Sequence, residues 1–153
     1  MFFLPLSTIA FLIVPSPVAL ASVATTPETA QQKGYVREAS TNGAQQVLDA
    51  YWAGQSDVIV EDVVGVVEAI LPDDLEGSRH QRFIVRVAER HTVLVVHNID
   101  LAPRIDALQE GDRVSVKGEY ERNDRGGLSH WTHHDPRNIH EGGWIDHDEL
   151  RYQ

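Results

Sequence analysis

Apolar and polar residues alternate along the middle of the chain, and this alternation predicts β-strands. Residues 58–70 form a run rich in β-branched side chains and interrupted by Gly65, a pattern typical of one long strand that bends or bulges near the glycine. The alternation in residues 80–87 and 92–98, on either side of a short turn at residues 89–91, predicts a β-hairpin.

Two further strands are predicted after the hairpin. Residues 113–121 have the most regular alternation in the chain, with Val114 and Tyr120 on the same face. A glycine-containing turn at residues 123–127 follows, and it predicts a return strand over residues 128–132.

Helical spacing of apolar residues marks two short segments. Residues 44–53 predict an N-terminal helix with Thr41 or Asn42 as its cap. Its apolar face, which we expect in the core, carries Val47, Leu48, Tyr51 and Trp52. A second short helix is predicted between the third and fourth strands, beginning after Asp100 and ending at Gly111. Its apolar face consists of Leu101, Ile105 and Leu108.

The predicted order of elements indicates a fold class. An N-terminal helix is followed by three strands, a short helix and two strands. This order matches the five-stranded Greek-key barrel of the OB type, and a long first strand suits one that bends to join both sheets. We therefore predict a mainly β protein with a single OB-like domain over residues 44–153.

The N-terminal residues 1–24 predict a secretory signal peptide. They carry no charge, and their apolar stretch, residues 2–14, is too short to span a bilayer. Ala19-Leu20-Ala21 and Ser22-Val23-Ala24 both fit the small-residue cleavage pattern. No Lys or Arg precedes the stretch, which leaves an uncleaved anchor or a misassigned start codon as alternatives. We expect a flexible lead-in over residues 25–43, a periplasmic or secreted location, and no transmembrane span after cleavage.

Composition narrows the chemistry of the chain. Its 153 residues contain 13 Lys and Arg against 23 Asp and Glu, a formal net charge of −10 with every histidine neutral. This balance disfavours nucleic acid as a partner, since such binding needs clustered positive charge. The chain has no cysteine, which excludes disulfides, a thiol nucleophile and thiolate-bound metals. The remaining chemistry uses oxygen and nitrogen ligands.

Histidines are concentrated in the second half of the chain, where all 8 lie between His80 and His147. The register of the hairpin places the start of strand two opposite the end of strand three. In OB topology, strand five lies parallel to strand three, so its end reaches the same rim, and His140 can fold back over it. We predict a ligand-binding rim formed by His80, Gln81, His97, Asn98, Trp131 and Asp135.

The converging imidazoles also predict a site for a divalent metal such as zinc, because neutral imidazole nitrogens bind such ions well. The candidate ligands are His80, His97, His130, His133, His134 and Asp135. His130 and His133 point to opposite faces of a continuous strand, so they can share an ion only if the chain bends near Thr132. The alternatives are a polar corner that bonds backbone groups and a surface whose charge responds to pH.

A modest basic stripe follows the second strand and consists of Arg79, Arg82, Arg86 and Arg90. Such a stripe permits nucleic-acid binding, but it lacks the interleaved aromatic residues that stack on bases. The alternative is a solvated face paired with the many acidic residues. Steep weakening of nucleic-acid binding with added salt would distinguish the two.

Several motifs are distinctive in combination. They are His80-Gln81-Arg82-Phe83, His97-Asn98-Ile99-Asp100-Leu101-Ala102-Pro103-Arg104-Ile105, Gly118-Glu119-Tyr120-Glu121, His130-Trp131-Thr132-His133-His134-Asp135-Pro136 and Gly143-Trp144-Ile145. With them, the region from Val64 to Tyr152 resembles the bacterial family DUF3465, whose members are small, mostly exported proteins without an established activity. The resemblance implies that the histidine segments are hallmarks of the family. The helix around Tyr51 lies outside the region that resembles it.

The sequence therefore predicts a small exported binding domain with a histidine-rich rim that holds a divalent metal. One alternative is a metal-assisted hydrolase of a phosphodiester or glycan. Another is a protein-interaction module of the cell envelope. Whether the protein is an enzyme stays open, since no nucleophile elbow, phosphate loop or zinc-protease helix occurs. The partner is an unidentified small ligand or a second copy of the chain.

Overall fold

The structure, a computed structural model, describes residues 42–153. The predicted signal peptide, the helix cap at Thr41 and the lead-in up to residue 41 lie outside the described residues. The elements in chain order are α1 (Asn42–Ala53), β1 (Val58–Asp74), β2 (His80–Ala88), β3 (His91–Asn98), β4 (Arg113–Glu121), β5 (Leu128–His130), β6 (Trp144–His147) and β7 (Leu150–Tyr152). The prediction of a mainly β protein is confirmed.

The strands form one seven-stranded sheet in the order β1-β2-β3-β5-β4-β6-β7. Strand β1 pairs with both β2 and β4. The hydrogen-bonded pairing therefore runs from β1 through β2, β3, β5 and β4 and back to β1. The pair β3–β5 is parallel and the other pairs are antiparallel. Among the described residues, no helix is long and apolar enough to cross a membrane.

Strand β1 reaches two neighbours because it is long and irregular. Its first half pairs with β4 and its second half with β2. Register shifts occur between Val60 and Val63, between Val67 and Ala69, and again near its end. The irregularity predicted near Gly65 therefore occurs before and after the glycine, and not at the glycine itself. Gly65 instead allows β1 to lie close to β2, because a Cβ at this position would lie 2.7 Å from the carbonyl oxygen of Arg86.

The core lies on the inner faces of the strands and is rich in valine. Helix α1 packs Ala44, Val47 and Ala50 against it. Tyr51 is half-buried, but Trp52 is 79% exposed, so its predicted place in the core is wrong. Small side chains make the close contact of α1, and Trp52, near the end of the helix, packs its ring edge-on against Tyr51 instead.

The helix predicted between β3 and β4 does not form, and residues 99–112 consist of turns and irregular backbone. Pro103 lacks the N–H that a helix would use and disfavours a helical conformation at the residue before it. Buried Gln81 takes over the backbone groups of Ile105: Gln81 Nε2 donates to the Ile105 carbonyl at 3.0 Å, and Ile105 N–H donates to Gln81 Oε1 at 2.9 Å. Ile105 and Leu108 are nevertheless buried as predicted, whereas Leu101 is exposed.

The hairpin β6–β7 was not predicted from the sequence. Its turn residues Asp148 and Glu149 both have positive φ, 47° and 64°, where glycine or asparagine is the usual signal. Without that signal, the short strands have too few residues for a recognisable alternation.

Ser129 on β5 is the one polar residue lining a small internal cavity of about 10 Å³, together with eight valines. A water molecule there would lack the two or more polar partners that ordered waters need. The Ser129 hydroxyl accordingly has no hydrogen-bond partner among the described residues.

We expect Ser129→Ala to raise the free energy of unfolding by about 1 kcal/mol, because it removes an unsatisfied buried hydroxyl. Urea denaturation measures the change. Ser115→Ala, at a half-buried serine of β4, should shift stability by less than about 0.5 kcal/mol. A Ser129→Ala protein less stable than the unmodified one would contradict the prediction.

Candidate metal centre and adjoining pocket

Two glutamates and a histidine meet on the outer face of the sheet. Glu119 and Glu121 flank buried Tyr120 on β4, so both side chains point away from the core. His130 on β5 lies directly opposite Glu119 in the antiparallel pair. Its Nε2 lies 3.0 Å from Oε1 of Glu121 and 3.7 Å from Oε1 of Glu119. The three residues bring ligand-type atoms within 4.8 Å of one another and could hold a metal ion.

The ring nitrogen at the centre of this group is unsatisfied. Although His130 Nε2 lies close to the Glu121 oxygen, the groups are not oriented for a hydrogen bond, and the atom is buried without a hydrogen-bond partner among the described residues. All three residues are half-buried, so water only partly screens the repulsion between the two carboxylates. A cation would satisfy the nitrogen and both carboxylates together.

The sheet changes partner beside this group. Strand β5 ends at His130 because Trp131 has a φ of 52°, and the chain leaves the sheet there. Strand β6 takes its place next to β4, with Trp144 opposite Lys117. Gly118 lies at this change of partner, where a Cβ would lie 3.0 Å from the Thr132 side chain and even closer to the His130 carbonyl. The sequence prediction that strand five continues to Thr132 is wrong because the chain turns out of the sheet at Trp131.

The chain segments that the sequence placed at one rim line a shallow pocket of about 90 Å³. The lining residues are His80, Val96, Asn98, His130, Trp131 and His133. His80 and Asn98 are partners in the β2–β3 register. His130 belongs to both the pocket and the glutamate group, so the candidate metal centre and the pocket adjoin.

Trp131 is surrounded by imidazole rings. The His140 ring stacks on the indole at a centroid distance of 3.8 Å and an angle of 18°, and the His133 ring lies 5.5 Å away, tilted by 48°. A tryptophan with positive φ is strained, since bulky residues rarely adopt this conformation. The His140 and His133 rings pack against the indole in this conformation.

His133 has a fixed proton position. The residue is 2% exposed, and its Nδ1 lies 2.8 Å from the His134 carbonyl oxygen. Because a carbonyl only accepts hydrogen bonds, Nδ1 carries the proton and Nε2 keeps a free lone pair. Nε2 has no hydrogen-bond partner among the described residues, and it is not fully buried. This lone pair is the free acceptor that His133, a lining residue of the pocket, retains.

His97 is fully buried, and both of its ring nitrogens are bonded. Nε2 donates to the Pro103 carbonyl at 3.2 Å, so Nδ1 accepts from the Thr132 hydroxyl at 2.9 Å. Burial lowers the pKa of His97 to about 4, and the hydrogen bonds to Pro103 and Thr132 offset only part of this effect. In this arrangement neither nitrogen has a lone pair free for a metal.

Asp135 organises the loop that follows the pocket. Its carboxylate accepts hydrogen bonds from the backbone N–H groups of Arg137, Ile139 and His140 at 2.7–2.9 Å. These bonds, the one from His140 first, lower the pKa of Asp135 to about 2. They occupy both carboxylate oxygens. His134 is exposed, and the binding roles predicted for it and for Gln81, His97 and Asp135 stay predictions.

The basic stripe is mostly paired with acidic or carbonyl groups. Arg79 bonds Asp100 at 2.6 Å, and Arg86 lies 3.6 Å from Glu68. Arg82 donates to the Pro72 carbonyl at 2.9 Å and 3.1 Å. These contacts are those of the solvated, acid-paired face that the sequence left as the alternative.

The two glutamates of the candidate metal centre were not predicted as ligands. The sequence does place Glu119 and Glu121 on the outer face of strand four. Their proximity to His130 depends on the β4–β5 register, which the turn at residues 123–127 sets. An Asn123 side chain that accepts from Arg125 and Gly127 N–H groups fixes this turn.

Comparison with known proteins identifies the family of the chain but does not assign an activity to it. A search of curated proteins gives no match. The family model described as "Protein of unknown function (DUF3465)" matches residues 31–153, a longer region than the motifs alone indicated. The match includes helix α1 and all seven strands. The chain therefore belongs to the DUF3465 family.

Proposed function

We propose that this protein is an exported OB-type barrel that binds a divalent cation at Glu119, Glu121 and His130 and a small ligand in the adjoining pocket. The closed series of pairings from β1 to β5, with β5 parallel to β3, supports the OB assignment. The uncharged N-terminal residues 1–24, with their small-residue cleavage pattern, support export.

The observation that carries the cation site is the unsatisfied His130 Nε2 between two carboxylate oxygens. An imidazole with two carboxylates suits a borderline ion such as Zn²⁺, and three protein ligands leave a coordination position open. The pocket shares His130 with this centre, so a ligand bound there lies next to the cation.

Calorimetric titration with ZnCl₂ tests the cation site. We expect the protein to bind one equivalent, and Glu119→Gln with Glu121→Gln to weaken binding at least about tenfold, since both anionic ligands are lost. Glu89→Gln with Glu110→Gln is the matched control: it removes the same charge from two exposed positions. The control should bind zinc like the unmodified protein.

Two results would contradict the cation site. One is an absence of stoichiometric binding by the unmodified protein, which would leave the group as an ion pair of His130 with the glutamates. The other is an equal loss of zinc affinity in the two double variants, which would mean that zinc binding depends only on the net charge of the protein.

A metal-assisted hydrolase is the second candidate, and the lone pair of His133 Nε2 favours it. A metal-bound water occupies the open position of many catalytic zinc sites, and a nearby base can take its proton. Zinc-dependent turnover of bis-p-nitrophenyl phosphate or p-nitrophenyl glycosides would support this candidate. Stoichiometric zinc binding without product would leave the binding function alone.

A further inference from the structure

The adjoining pocket has hydrogen-bonding groups of both kinds and no charged side chain that is permanently cationic or anionic. His133 Nε2 offers a lone pair, as its bonded Nδ1 requires. Asn98 Oδ1 accepts the Asp100 N–H at 2.9 Å, which leaves the Asn98 Nδ2 donors free for a ligand. His80 also lines the pocket, opposite Asn98 in the β2–β3 register.

These groups select against an anionic ligand. No Lys or Arg lines the pocket, whereas phosphate and carboxylate recognition relies on such residues. Glu119 and Glu121, beside His130, repel anions, and the guanidinium of Arg79, next to His80, is paired with Asp100. An uncharged ligand with adjacent donor and acceptor groups fits the lining better.

The walls of the pocket indicate the shape of such a ligand. Val96 and the indole of Trp131 are apolar surfaces on which C–H groups can pack. The pocket of about 90 Å³ admits roughly three water volumes, enough for the edge of one ring with two neighbouring hydroxyls. One hydroxyl can donate to His133 Nε2 while the next accepts from Asn98 Nδ2.

We propose that the pocket binds a saccharide through a pair of adjacent hydroxyl groups, held between His133 and Asn98. This inference rests on the proposed function for the pocket as a ligand site but not on the cation. Either part can therefore fail alone, and the experiment keeps them apart by including a protein without the two glutamates.

The test follows the indole N–H signal of Trp131 in the ¹⁵N-labelled protein, one of three indole signals, assigned by its loss in Trp131→Phe. D-glucose, D-mannose and D-galactose are titrated to about 100 mM, because a shallow site with few hydrogen bonds gives millimolar affinity. Together they present adjacent hydroxyls in different relative orientations. Tetrahydropyran-2-methanol is a ring control with a single hydroxyl, and inorganic phosphate is the anionic control.

Asn98→Asp is the decisive variant, since it keeps an oxygen that can accept the Asp100 N–H while it replaces the Nδ2 donors by a second carboxylate oxygen and adds one negative charge. We expect it to weaken saccharide binding at least about tenfold, the loss of one specific hydrogen bond in a built site. Asn138→Asp places the same charge change on the exposed loop and should leave binding unchanged. The Glu119→Gln, Glu121→Gln protein should still bind the saccharide, with or without zinc.

The outcomes separate the explanations. A saturable Trp131 shift with at least one sugar, absent with tetrahydropyran-2-methanol and lost in Asn98→Asp, supports the proposal. No shift with any of the three sugars overturns it, as does a shift with phosphate alone. Unchanged sugar affinity in Asn98→Asp overturns the assigned hydrogen bond and, with it, the proposal.

Discussion

Gln81→Leu is expected to lower the free energy of unfolding by about 2–4 kcal/mol, because it removes two buried hydrogen bonds to one backbone residue. Gln81 is 1% exposed and bonds both backbone groups of fully buried Ile105. Leucine fills similar space but leaves the buried Ile105 N–H without a partner and leaves the Ile105 C=O with only the long bond from the Leu108 N–H at 3.4 Å. An unsatisfied buried backbone group costs about 1–3 kcal/mol. Urea denaturation at pH 7 measures the loss.

The matched control for this change is Gln109→Leu, on the same connection between β3 and β4. Gln109 is exposed, and only its backbone takes part in hydrogen bonds. We expect a change within about 0.5 kcal/mol. A loss below about 1 kcal/mol in Gln81→Leu would show that residues 99–112 hold their conformation without the Gln81 side chain.

Acidification from pH 8 to pH 4.5 is expected to cost the protein about 2–3 kcal/mol of stability through His97 alone. The folded protein holds the pKa of this buried ring at about 4, whereas the ring of an unfolded chain titrates near its usual value of 6.5. Between these values the unfolded chain binds more protons, so stability is complete above pH 6.5 and falls as the pH decreases towards 4.

The contribution of His97 is isolated by comparison with His97→Gln, which cannot titrate. Urea denaturation between pH 8 and pH 4.5 should give a variant with lower stability at pH 8 but a flatter dependence on pH. His134→Gln, at an exposed histidine, should keep the slope of the unmodified protein. Equal slopes in all three proteins would refute the role of His97. The pKa of Asp135, about 2, keeps its ionisation outside this range.

Much of the sheet could be predicted because alternation is a local property. Strand β4 was predicted with the observed bounds, and β2 and β3 within a residue or two. The convergence of the His80, Asn98 and His130 segments followed from strand register and topology, which alternation and turn length largely determine.

The errors arose where distant residues decide the conformation. Helical spacing at Leu101, Ile105 and Leu108 is real, yet the Gln81 side chain bonds the backbone there in place of helical hydrogen bonds. Trp131 ends β5 because it has a positive φ, a conformation that a tryptophan in the sequence does not predict. Such contacts and strained conformations depend on the assembled fold, so no pattern along the chain predicts them.

The candidate metal centre shows the same limit. His130 was predicted as a ligand, but with other histidines rather than with Glu119 and Glu121. Imidazoles are the ligands expected for a divalent transition metal, whereas outward glutamates on a strand usually face solvent. What distinguishes these two is a histidine placed opposite them, which depends on pairing between β4 and β5.

The exchange of β5 for β6 along β4 fixes both ends of the intervening loop on one strand. Residues between His130 and Trp144 leave the edge of β4 and return to it almost where they left, at Lys117. Both ends of this excursion are held by sheet pairing, and its first residues are anchored by the buried side chains of Thr132 and Asp135. Its exposed tip, residues 136–139, is thus a natural site for grafting, where relatives or engineers can change length and composition while keeping the scaffold.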